Sequence, residues 1–307
     1  MAAEQERPLR SGPDAPCTVA VVVSHRPDMG LLQTALRALC AQVDGLVLVD
    51  NGSGGDVQAQ LRLLLQESVQ AIPKQSLLLP ENTGLGYAQN AGIALARDRM
   101  GADCVLLMDQ DSAPAPGMVA GLRVALKACD AAGGRAGAIG ADFSEPQRGR
   151  ATALPKGQGR VVEREAVISS GALIPLKVWE RVGPFDEGLF IDFVDTEWCF
   201  RARAAGYRCY AARGAGMEHR IGAPGPSLGG RRMAVHTPER MYYQLRNLLL
   251  LARRPAVPRG WLLRTLPRYL GRSIVLALMV RPRRRRAGAV ARGLWHGLQG
   301  RSGGLGA

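Results

Sequence analysis

The chain has 307 residues, 47% of them hydrophobic and 21% charged, so it can bury a full core as one large domain or one domain with a smaller appendage. Its formal charge of +14 is segregated: residues 231–307 hold 17 Arg, no Lys and one acidic residue, Glu239, hence +16, which leaves −2 for the first 230. Six isolated cysteines without a C-x-x-C pair exclude a zinc-finger framework, and neither a secretory signal nor an uninterrupted apolar run of membrane-spanning length is read in the sequence.

Residues 1–16 are polar and expected to be disordered. The run 17–23 is β-branched and ends at Ser24-His25-Arg26-Pro27, where proline stops a strand. Apolar residues at helical spacing follow over 31–40, and a second apolar run, 46–49, closes on Asp50-Asn51-Gly52-Ser53. Helix 57–66, strand 76–79, helix 86–99 and strand 104–108 continue the alternation, and the last runs straight into Asp109-Gln110-Asp111-Ser112. Strand–helix–strand alternation predicts parallel strands with right-handed crossovers and ligands at their carboxyl ends. A helix from Pro116 to about Cys129 comes next, then a Gly-rich piece over 133–140 and a polar stretch to 160 expected to be mobile. A strand over 168–175, helices over 176–182 and 194–205, and two or three helices after 231, with 241–251 and 261–280 among them, complete the reading. The organisation expected is a catalytic domain over 17–230, with a nucleotide-binding half 17–115 and an acceptor-side half 165–222, and a basic helical extension over 231–307.

Two acidic clusters thus follow two strands. Asp109 and Asp111 flank one residue at the mouth of a buried strand, where a hard divalent cation, Mg2+ or Mn2+, takes oxygen ligands from protein and diphosphate together. A solvated Asp-rich turn has the same sequence. Asp50 stands where a carboxylate can accept hydrogen bonds from a base or ribose, although Asn51-Gly52 is also a plain turn signal. Asn82, Gly84 and Asn90 surround a helix start where missing side chains permit close backbone approach, and a loop-to-helix cap explains them as well. Asp192, Asp195 and Glu197 offer three carboxylates within six residues beside Phe193 and Trp198. Any of them suits removal of a proton from an acceptor hydroxyl, or simply the dipole of a helix start.

Together, Val49-Asp50-Asn51-Gly52-Ser53, Asn82-x-Gly84 with Asn90 and Gly92, Asp109-Gln110-Asp111-Ser112, Ser169-Ser170-Gly171-Ala172, Gly183-Pro184-Phe185-Asp186-Glu187, the run from Leu189 to Trp198, Arg201-Ala202 and Glu218-His219-Arg220-Ile221-Gly222 resemble family 2 glycosyltransferases, and their rhamnosyltransferase branch in particular. The resemblance implies a GT-A fold (a Rossmann-like mixed sheet flanked by helices), a dTDP-rhamnose donor, a divalent metal and inversion. It puts Asp50 at the base, Asp109 and Asp111 at the ribose and metal-diphosphate, His219 near the metal, and Asp195 in the role of general base, with Asp192, Glu197 and Trp198 on the acceptor side. Ser24-His25-Arg26-Pro27 departs from the Thr-Tyr-Asn-Pro usual in relatives, at the nucleotide-base pocket.

The tail suggests where the enzyme works. Arg264, Arg268 and Arg272 recur at four-residue intervals among leucines, and residues 281–286 add a basic cluster, a pattern expected of an interfacial helix on an anionic leaflet. The expected place is the cytoplasmic face of the plasma membrane, with a glycan or glycolipid acceptor of surface-polysaccharide assembly. Rhamnolipid synthesis would use the same residues, and a nucleic-acid-binding protein using the 281–286 cluster is the alternative of a different class.

Overall fold

The computed structural model describes residues 16–68, 72–145, 150–151, 161–219, 223–228 and 231–306. The expected disordered N-terminus, save residue 16, and most of the polar stretch before residue 160 lie outside them. In chain order the elements are β1 Thr18–Ser24, α1 Met29–Cys40, β2 Gly45–Asn51, α2 Gly55–Ser68, β3 Lys74–Leu79, α3 Leu85–Met100, β4 Cys104–Asp109, β5 Ser112–Pro114 and α4 Met118–Ala131. Then come β6 Ala136–Glu145, β7 Arg150–Ala151, β8 Val161–Arg164, β9 Ala172–Pro175, α5 Leu176–Val182, a 3-10 turn Glu187–Leu189, α6 Val194–Ala204 and β10 Arg208–His219. The hairpin β11 Ala223–Leu228 and β12 Arg231–Val235 leads to α7 Pro238–Leu251, α8 Arg259–Met279 and α9 Arg283–Gln299.

β1 shows why the first half was readable. Its seven residues are all buried, Val19, Val21 and Val23 in one core and Ala20 and Val22 in the other. A strand covered on both faces has no polar alternation, so it appears as one continuous apolar run. β3, β2, β1 and β4 are neighbours in that order and all parallel. Their carboxyl ends align: Ser24 pairs with Asp50 and Val23 with Asp109. Three loops therefore meet at one sheet edge.

Beyond β4 the sheet is mixed, running β9, β6, β10 and β5, with β9 antiparallel to both β4 and β6. The Gly-rich piece over 133–140, for which no strand was expected, contains the start of β6, a central strand. Gly140 is a steric necessity, since a Cβ there would lie 2.9 Å from the Val167 Cβ, and a Cβ on Gly137 would crowd that of Tyr207 at 3.2 Å. The strand expected over 168–175 is only β9, because Gly171 turns at φ +80. β10 carried no apolar alternation to announce it.

The basic extension is not peripheral. Leu250, Leu251 and Val257 belong to the core cluster that contains Val19 and Trp198, with Trp261 and Leu262 packed against it. Of the 281–286 cluster, the arginines at 281 and 283–285 are exposed, whereas Arg286 in the first turns of α9 is buried, donating to the His236 carbonyl at 2.6 Å. No described helix is long and apolar enough to cross a membrane.

Candidate active site

A cavity of about 550 Å³ opens at the carboxyl ends of β1, β2 and β4. Asp109 and Asp111 form one wall, Asn82 and Gly84 a second, and Asp192 and Asp195 a third. The Asp109 amide donates to the Ser170 hydroxyl at 3.1 Å, which in turn donates to the Ser112 hydroxyl at 2.8 Å, so the acidic turn is braced from β9's side. Gln110 between the two acids also lines the cavity and ties down the end of β1: its Oε1 accepts from the His25 amide at 2.7 Å. Among the described residues Asp111 makes no hydrogen bond, and no group of three His, Cys, Asp or Glu could hold a metal. Two carboxylates without a third protein ligand fit Mg2+ or Mn2+, which accept diphosphate oxygens and water for the remainder. The His219 backbone pairs with Ser112 at the end of β10, while its side chain lies outside the described residues.

Several expected contacts are redirected. The Asp50 carboxylate is fully buried and does not line the cavity. It accepts from the Ser24 and Ser53 hydroxyls, from the Ser53 amide at 2.9 Å and from Gln58 at 3.0 Å, so it closes its own turn. Asn90 binds Phe185 in both directions, at 2.9 and 3.0 Å, and Glu187 at 2.9 Å, fastening α3 to the 185–187 segment. Glu197 is buried against Arg201, both Nε–Oε distances being 2.9 Å; burial lifts its pKa and the guanidinium opposes the rise. Trp198 is core, its Nε1 donating to the Gly183 carbonyl at 2.9 Å. Gly84 does line the cavity, but its missing side chain makes room for protein. At φ +90 a Cβ there would stand 2.7 to 2.9 Å from Phe190.

Asp195 differs from its neighbours. Its Oδ1 accepts from the Thr196 amide at 2.7 Å and the Thr196 hydroxyl at 3.2 Å, and Oδ2 from the Ser169 amide at 3.1 Å, which leaves lone pairs on the cavity side. Burial pushes its carboxyl above the ordinary value against these hydrogen bonds, and the charge of Asp192 pushes the same way. A raised carboxylate is a stronger base than a free one. Asp192 is held by Arg240, whose Nε lies 3.2 Å from both oxygens and whose Nη2 is 3.0 Å from Oδ1. Burial opposes the charge on Arg240, yet Asp192, and after it Asp109, hold its pKa above the ordinary value.

The segment carrying these acids is strained. Phe190, Asp192 and Phe193 all have positive φ, at 63, 64 and 66 degrees, each costing about 1–3 kcal/mol. Buried Asn247 of α7 holds it, donating to the carbonyls of Leu189, Ile191 and Asp192 at 2.9, 2.8 and 2.9 Å, and buried Arg246 donates to Leu189 at 2.9 Å. Arg240 and Gln244 of α7, and Tyr269 and Arg272 of α8, complete the cavity wall. Sequence reasoning placed none of these at the site, Arg272 being counted in a basic stripe and Tyr269 among the apolar residues of the same helix. Their only signal was polar residues inside otherwise apolar helices.

The chain is similar to known glycosyltransferases in sequence and in fold. Residues 19–173 match the profile of glycosyl transferase family 2. The chain is 31% identical over 248 residues to the dTDP-rhamnosyl transferase RfbF of Shigella flexneri, covering 78% of this chain and 81% of that protein. Among solved structures it is similar to S. aureus TarS 1–349 in complex with UDP-GlcNAc, with a TM-score of 0.58, 14% identity, and 92% and 81% of the two chains covered. It is also similar to GalNAc-T7 with UDP, GalNAc and Mn2+, with a TM-score of 0.53, 13% identity, and 88% and 59% covered. The fold is GT-A.

Proposed function

This chain belongs to the rhamnosyltransferase-like branch of glycosyl transferase family 2, and from that premise we propose that it moves rhamnose from dTDP-L-rhamnose, with inversion, to a hydroxyl of a lipid-linked glycan in surface-polysaccharide assembly. The observation that carries the reading is one cavity holding Asp109 and Asp111 on one wall and the raised carboxyl of Asp195 on another.

Asp195 takes the proton from an acceptor hydroxyl as its oxygen bonds to the anomeric carbon. The bond from that carbon to the diphosphate breaks, and its electron pair leaves on the nucleoside diphosphate. Attack opposite the leaving group inverts the centre. Arg272 places positive charge on the cavity wall, which favours an anion developing there, while the charge of Arg240 is balanced by Asp192. Asp109 and Asp111 would hold a divalent cation, which when bound neutralises diphosphate charge. Asn247 and Arg246 keep Asp192 and Asp195 in register with the donor.

Leu263, Ile274, Leu278 and Met279 on α8 and Trp295 and Leu298 on α9 are exposed, as are the arginines at 281 and 283–285 between and at the start of these helices. Apolar and basic groups together suit peripheral docking on the anionic inner face of the plasma membrane, where a lipid-linked acceptor is found.

The test is a donor panel. Pure protein is incubated with dTDP-rhamnose, UDP-GlcNAc, UDP-glucose and GDP-mannose, and release of nucleoside diphosphate to water is followed. Preferential turnover of dTDP-rhamnose supports the reading, and preference for a UDP- or GDP-sugar overturns the donor assignment.

A further inference from the structure

A second cavity of about 510 Å³ adjoins the first, and Phe193, Thr196 and Tyr269 line both. Phe193 and Thr196 bracket Asp195 in sequence, and Asp195 itself lines the first cavity beside these shared residues. Direct transfer needs the reacting carbon and the incoming hydroxyl to approach one proton acceptor from different sides, and two adjoining cavities offer such an arrangement.

The lining of the second cavity selects a different ligand from the first. Phe193, Trp261 and Tyr269 make a three-ring corner, Phe193 lying 6.0 Å from Trp261 at 86 degrees and 5.3 Å from Tyr269 at 60 degrees. Around them stand Glu163, Thr265 and Arg268. The Glu163 carboxylate is kept ionised by Arg208 first and Arg203 after it, with nitrogens at 2.8 and 3.1 Å. A fixed carboxylate accepts hydrogen bonds from hydroxyls. Arg268 makes a cation–π contact with Tyr269 at 5.6 Å and, among the described residues, has no carboxylate partner. Aromatic surface with a few hydroxyl-binding groups is the chemistry of a pyranose site.

We infer that this second cavity, walled by α8, binds the terminal pyranose of the acceptor, and that Trp261 and Arg268 determine which sugar is accepted. The inference rests on the reading of the first cavity as the donor site. It makes the basic extension a specificity element, one that meets the acceptor as well as any membrane surface.

The test uses the full chain saturated with dTDP and, as probes, methyl α-L-rhamnopyranoside, methyl β-D-galactopyranoside and methyl N-acetyl-β-D-glucosaminide, with binding read by saturation-transfer NMR. At least one glycoside is expected to bind without displacing dTDP. Trp261→Ala is expected to weaken it roughly tenfold, the loss of one aromatic contact. Because Trp261 also packs on Phe200 at 5.1 Å, the exposed Arg268→Ala provides a second variant that leaves the core alone, with a several-fold loss expected. Arg268→Ala should keep wild-type dTDP affinity and slow donor hydrolysis. No glycoside binding at all, displacement of dTDP by the glycoside, or equal binding to wild type and Arg268→Ala would each overturn the inference. Failure of the wild type to bind dTDP would instead overturn the donor-site reading beneath it.

Discussion

Asn247→Ala is expected to damage activity more than its distance from the cavity suggests. The amide has two protons, which Leu189, Ile191 and Asp192 carbonyls share, and its oxygen accepts from Arg246 Nε and Nη2 at 2.9 and 2.8 Å. Truncation leaves the Ile191 and Asp192 carbonyls without this donor at about 1–3 kcal/mol for each buried group, whereas Leu189 keeps Arg246. Water entering from the cavity offsets part of this, so a loss of about 3 kcal/mol is predicted, a shift of the urea midpoint on the order of 1 M. The larger effect is on geometry. Three residues held at positive φ relax once their tether is gone, and a displacement near 1 Å at the base costs roughly 10²-fold in rate. Urea unfolding by circular dichroism and donor turnover at saturating dTDP-rhamnose measure the two effects. Asn247→Asp, which keeps the size but not the donors, should behave like the alanine variant. A wild-type midpoint and turnover in both would show that the 190–193 backbone needs no tether.

Arg240→Gln should move the acid limb of the rate profile to higher pH. Asp192 loses its counter-charge, its repulsion raises the Asp195 carboxyl further, and the base is then lost to protonation earlier as pH falls; an unmoved limb would refute the coupling. Asp111→Ala should abolish divalent-stimulated turnover while leaving the unfolding midpoint in place, since Asp111 holds no structural hydrogen bond among the described residues; full turnover by this variant in EDTA would remove the metal assignment. Sedimentation with vesicles should give more binding to anionic than to neutral lipid, with the difference reduced by Arg283→Glu and Arg284→Glu together. Equal partitioning onto both lipids would reject electrostatic docking.

What could be read from the sequence depended on how local the physics was. β1, β2 and β4 announced themselves because both faces are buried, and Asp109 and Asp111 because an acidic turn ends an apolar run. Asp50 occupies an equivalent position yet points into its own turn. A carboxylate followed three residues later by serine satisfies itself locally, and the plain turn reading of Asn51-Gly52 described that better than a ligand contact. β6 was hidden because its glycines are explained only by Val167 and Tyr207, which are distant in sequence. The extension misled for the same reason. Arg246 and Asn247 look like the polar side of a helix, and their burial against the 188–192 carbonyls is a tertiary fact without a periodic signature. Arg272 shared its four-residue spacing with Arg264 and Arg268 but faces a cavity, whereas Arg264 is exposed beside Glu165.

The central claim, that Asp195 is the base of a dTDP-rhamnose transferase, is tested most directly by comparing turnover of dTDP-rhamnose by wild type and Asp195→Asn at saturating donor, with dTDP affinity measured on the same samples. Asn keeps the size of the side chain but cannot take a proton, so we predict a loss of roughly 10²–10⁴-fold in rate with dTDP binding unchanged. Wild-type turnover by Asp195→Asn, with Asp192→Asn inactive, would contradict the account and move the base to Asp192.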